Sequence, residues 1–106
     1  MVKEYNKLVR DRIPEIIRQS GIECETAVLL DAEYCQALRL KLIEEATEVA
    51  EANRDELVAE LADLYEVIDA LMLSYGISDD RILNAQAKRR ETRGGFAQKI
   101  MLLRTL

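Results

Sequence analysis

"EEATEVAEANRDELVAELAD", residues 44–63, carries one acidic spacing on each side of a short polar stretch: Glu45 with Glu48, then Glu60 with Asp63. Hydrophobic residues recur at helical spacing on both flanks. They predict one long helix from an Asp31 cap to about Ala52, and a second from an Asp55 cap to about Tyr75, stopped by Gly76. Two long helices joined by a turn as short as "ANRD" pack antiparallel. The reading is therefore all-α: a helical bundle built on two long antiparallel helices with shorter flanking ones.

Further out, Pro14 suits the first turn of a short helix near 13–20, which Gly21 would end. "IECETAVLL", residues 22–30, alternates loosely and holds several β-formers, so a short extended segment is expected there. Ser78 can cap another helix running from about Asp79 to Thr92, broken by the glycine pair at 94–95. The tail "FAQKIMLLRTL" is apolar enough to pack against something, but its pattern favours no conformation. No linker or low-complexity tract interrupts the chain, so residues 1–106 read as one domain.

Composition narrows the class. Hydrophobic residues make up 49% and charged residues 33% of the chain, as in soluble globular proteins. At 106 residues burial would be marginal for a monomer, so oligomerisation is expected to help. No apolar run approaches the roughly 20 residues of a membrane span, and the N-terminus lacks a signal peptide's apolar centre, so a cytoplasmic protein is expected. Cys24 and Cys35 lack metal-ligand spacing and are read as free thiols. The net charge of −5 is unevenly spread: residues 31–80 hold 14 acids and 3 bases, whereas residues 81–106 hold 7 bases and 1 acid. An acidic chain of this kind is a poor partner for duplex nucleic acid.

Helical wheels locate the acids. At about 100° per residue, Glu45 touches a stripe containing Leu38, Leu42 and Val49, with Cys35, Ala46 and Ala50 further round. Glu60 falls inside the stripe of Leu57, Leu64, Val67 and Leu71. Glu48 and Asp63 each lie about 60° off, at the rim, while Glu44 and Glu51 lean towards solvent. Acids three residues apart are common on solvated helix faces and in surface ion pairs. These four differ in occupying the same boundary on neighbouring helices. Lys41 lies near the first pair, and no base stands between Asp55 and Gly76 to offset the second. Four carboxylates in a chain without histidine favour a hard divalent ion, Mg²⁺ first and Mn²⁺ next, over zinc or di-iron.

"KLIEEATEVAEA" followed by "ELADLYEVIDAL" resembles the paired acidic signature of the MazG-like all-α nucleoside triphosphate pyrophosphohydrolases. "YNKLVRDRIPEII" at the start and "KRRETRGGFAQKIML" near the end resemble a stand-alone, phosphoribosyl-ATP pyrophosphatase-like branch of that superfamily. The resemblance implies Mg²⁺-dependent hydrolysis of the α–β phosphoanhydride of a nucleoside triphosphate, in a house-cleaning role. It further implies a homodimer or homotetramer, with Glu45, Glu48, Glu60 and Asp63 as catalytic metal ligands, one of them orienting water, and Glu44 as a weaker choice. Asn84 and Lys88 match the family's substrate-binding positions after the acidic pair, and Arg89 and Arg93 join Lys88 as candidate phosphate holders. Lys7, Arg10 and Arg12 are left to phosphate or subunit contacts. Phosphoribosyl-ATP pyrophosphatase itself and a non-catalytic nucleotide-binding module are the alternatives.

Overall fold

A computed structural model describes residues 2–106. All regular structure among them is helical: α1 (Ile13–Gln19), α2 (Asp31–Glu51), α3 (Leu57–Ser74) and α4 (Asp79–Arg93). The contacts divide the chain into two units, one ending at Tyr75 and the other running from Gly76 to Leu106.

In the first unit, α2 packs against α3. Cys35 Sγ near the start of α2 lies 3.7 Å from Ser74 Oγ at the end of α3, and Arg39 donates to the Tyr75 hydroxyl at 3.1 Å. Carboxylates from the other ends of the two helices also meet, which makes the pair antiparallel. Leu38 and Val67 are its buried hydrophobic residues, while Leu42, Val49, Leu64 and Leu71 are half-buried along the expected stripe. Ala46, Ala50 and Leu57 are exposed, so the stripe is narrower than the wheel suggests. Tyr65 and Tyr75, read from the sequence as core residues, are 69% and 47% exposed; at about 100° per residue Tyr75 falls at the edge of the stripe, but Tyr65 falls roughly 140° from Glu60, outside it. Tyr75 instead lies under the Arg39 guanidinium, where its hydroxyl accepts a hydrogen bond and its ring faces the cation.

The helix starts differ from the expected ones. Asp31 is the first residue of α2 rather than its cap; Leu30 precedes the helix in extended backbone (φ −71°, ψ 158°), and its N–H donates to the Glu33 carboxylate. Before α3, the chain turns over residues 54–56, and the side chain that closes this turn is Asn53 rather than Asp55. Asn53 Oδ1 accepts from the Glu56 N–H at 3.0 Å, and Glu56 Oε1 accepts from the Asn53 N–H at 3.3 Å. This reciprocal box joins the two long helices and satisfies donors that would otherwise be orphaned. Asn53→Ala is expected to cost about 1 kcal/mol, read as a lower urea midpoint with an unchanged slope.

Residues 22–30 form no strand. Gly76 (φ 65°) follows α3 in the left-handed backbone that glycine adopts without strain. In the second unit, Ser78 Oγ accepts from the Arg81 N–H as the expected cap of α4, which buries no residue. The apolar tail beyond it has no regular structure after the turn at 97–98.

Candidate metal centre

Residues 45, 60 and 63 converge because the Asn53–Glu56 box fixes the turn that folds α3 back along α2. Glu45, Glu60 and Asp63 each offer one carboxylate oxygen, and the three oxygens lie within 4.8 Å of one another. Glu45 is 7% exposed; Glu60 and Asp63 are half-buried. Glu48, the fourth expected ligand, is exposed and outside this cluster, although its carboxyl stands against those of Glu60 and Glu45.

Electrostatics make the cluster costly as it stands. Desolvation and the Glu48 charge raise the Glu45 carboxyl above its ordinary pKa, with Asp63 and Glu44 adding to the effect and Lys41 opposing it. Glu60 is raised too, by desolvation, by hydrogen bonding with the Glu48 carboxyl, and by the charges of Glu48, Asp63 and Glu45. Glu45 Oε2 and Glu60 Oε2 are both buried without a hydrogen-bond partner. A buried carboxylate oxygen left in that state is destabilising. Glu48 stands in the last turn of α2, which holds no base, so the negative end of the helix dipole adds to the acids. An all-oxygen donor set, two orphaned buried oxygens and concentrated negative charge fit a hard divalent cation.

Not all of the nearby bases are legible in the sequence. Lys41 Nζ lies 3.6 Å from Glu45 Oε1 and 3.3 Å from Glu44 Oε2. Glu44, solvent-leaning on the wheel, is held on both sides, since Lys7 Nζ is 3.4 Å from its Oε1. Burial alone would raise its carboxyl, but hydrogen bonding and charge from Lys41, joined by Lys7, outweigh that and lower it. α3 supplies no base for Asp63, yet Arg10, from the N-terminal segment, reaches its Oδ1 at 2.7 Å. Arg10 and Lys41 also line a cleft of about 190 Å³ with Glu45 and Asp63, floored by Leu38 and Val67.

Asn84, Lys88, Arg89 and Arg93 are exposed on α4 in the other unit. At about 100° per residue, Asn84 and Lys88 share one face while Arg89 and Arg93 fall roughly opposite. One helix face therefore cannot present all four to a single ligand.

No family model matches the chain, and no solved structure matches it. A stretch of 47 residues, 44% of the chain, is 51% identical to an uncharacterized protein of Mycolicibacterium smegmatis (strain ATCC 700084 / mc(2)155), and the match spans about half of that protein, 48% of its length.

Proposed function

We propose that the chain is a MazG-like nucleotide pyrophosphohydrolase that cleaves the α–β phosphoanhydride of a nucleoside triphosphate, releasing the monophosphate and pyrophosphate. The observation that carries this reading is the three-oxygen cluster of Glu45, Glu60 and Asp63 with its two unpartnered buried oxygens. The resemblance of the two acidic helices to that superfamily supplies the reaction class.

Glu45, Glu60 and Asp63 would hold Mg²⁺, with Mn²⁺ as a substitute, and the ion would supply charge neutralisation for the phosphates. Glu48, outside the cluster but against Glu60, would orient a water and accept its proton. The water oxygen bonds to the α-phosphorus, the bond from that phosphorus to the bridging oxygen breaks, and pyrophosphate leaves with the electron pair. Of the α4 residues, the resemblance assigns Asn84 and Lys88 to the phosphate tail, and these two share a face. The protein so read works in the cytoplasm as a homodimer or homotetramer; its two free cysteines suit a reducing compartment. Among the described residues, no helix is long and apolar enough to cross a membrane.

A panel of standard, non-standard and deoxynucleoside triphosphates together with phosphoribosyl-ATP, each with Mg²⁺ and scored for pyrophosphate against orthophosphate, tests the reading. Metal-dependent pyrophosphate release from one or more of them is expected. Cleavage of phosphoribosyl-ATP alone would assign the histidine-pathway step. Binding without turnover, at enzyme concentrations that reveal slow reactions, would reduce the protein to a nucleotide-binding module.

A further inference from the structure

The N-terminal segment lies across the acidic site without regular secondary structure of its own. Two long-range ion pairs tie it down, Lys7 to Glu44 at 3.4 Å and Arg10 to Asp63 at 2.7 Å, with Leu8 half-buried between them. The Arg10 pair is the shorter, and it engages an acid of the three-oxygen cluster. In that position the guanidinium does part of what a cation would do there. Yet it cannot do all of it, because Glu45 Oε2 and Glu60 Oε2 still have no partner.

The Arg10–Asp63 pair is roughly half exposed on both sides, at 55% and 44% of the side-chain area. Pairs so exposed contribute little to stability, so releasing this one costs little. The released guanidinium already borders the cleft of about 190 Å³, which Lys41 lines as well. At ~30 Å³ for each water, that space accommodates a phosphate-sized group. A guanidinium presents paired N–H donors that match phosphate oxygens, and Lys41 adds a second positive charge to the lining of the cleft.

We propose that Arg10 engages Asp63 in the metal-free protein and transfers to a phosphate of the incoming ligand when Glu45, Glu60 and Asp63 take up a divalent cation. This rests on the metal-site reading above. Arg10 thus has two opposed effects: it competes with the metal when no anion is present, and it helps hold the anion once the metal is bound.

The test is titration calorimetry on the full chain, with Mn²⁺ alone and then with inorganic pyrophosphate in the presence of Mg²⁺, comparing the parent with Arg10→Gln. The substitution is expected to tighten Mn²⁺ binding about two- to fivefold, the scale of an exposed ion pair, and to weaken pyrophosphate binding about tenfold or more, the scale of a charged hydrogen bond. Arg10→Lys keeps a point charge and should recover part of the pyrophosphate affinity but not all of it. A thermal melt of each variant identifies any that has failed to fold, and Arg10→Lys then carries the comparison. Mn²⁺ binding that is unchanged or weaker, or pyrophosphate binding that is unchanged or tighter, would overturn the exchange while leaving the metal site standing. Failure of the parent to bind Mn²⁺ at all would overturn both.

Discussion

Glu45→Gln is expected to raise the melting temperature of the metal-free protein at neutral pH and to abolish the further rise that Mg²⁺ or Mn²⁺ gives the parent. Both effects follow from the same carboxylate. Desolvation and neighbouring negative charge raise the Glu45 and Glu60 carboxyls in the folded protein. In the pH range between the unfolded and folded pKa values, the native state binds more protons than the unfolded state. Stability therefore falls as pH rises through that range, and metal-free protein should melt highest on its acid side. Glutamine removes the ionisable group and flattens that part of the dependence. Bound metal reverses the balance: at about 100 times its dissociation constant a ligand adds ~2.7 kcal/mol, which for a domain of this size is a rise of roughly 10 °C or more. Glu60→Gln should behave in the same direction and reduce pyrophosphate release by roughly 100-fold or more, at least the loss that follows from disturbing a metal site's supporting partners. Differential scanning fluorimetry across pH, with and without metal, reads the stability effects. A metal-free Glu45→Gln protein that melts lower than the parent at neutral pH would refute the view that these acids are held together at a cost.

The second large effect concerns assembly. The unit Gly76–Leu106 presents Phe96 at 98% exposed and Ile100, Leu102 and Leu103 at 77–80%, and α4 buries no residue. The same unit holds 7 bases and 3 acids in a chain whose net charge is −5. An apolar, basic unit of this kind suits a second copy's acidic, partly apolar surface, where Leu40, Ile43 and Val58 are also exposed. Light scattering is expected to give two or four times the 12.1 kDa of the chain. The double substitution Ile100→Asp, Leu103→Asp should release monomers and make the melting temperature independent of protein concentration. A monomeric parent at tens of micromolar would remove the assembly from the proposed function.

The long hairpin and its acids are legible in the sequence because helical periodicity is local: Glu45 and Glu60 are placed by the stripes around them. The box at the turn is also within reach, since Asn53 and Glu56 have capping-box spacing, but Asp55 is an equally good cap by type and competes with it. Arg10 at Asp63 is beyond any such argument. The partners are separated by 53 positions, and one of them lies in a segment without periodicity. Tyr65 departs from the core expectation for a simpler reason: at about 100° per residue it falls roughly 140° from Glu60, outside the stripe of Leu64, Val67 and Leu71, and its exposure follows the wheel.

The tight turn between α2 and α3 has a kinetic consequence. Closing the chain between positions 45 and 60 incurs little loop entropy, so these carboxylates meet as soon as the two helices dock. Their mutual repulsion then acts on the folding transition state as well as on the finished structure. A divalent ion that screens it would speed folding itself, besides slowing unfolding.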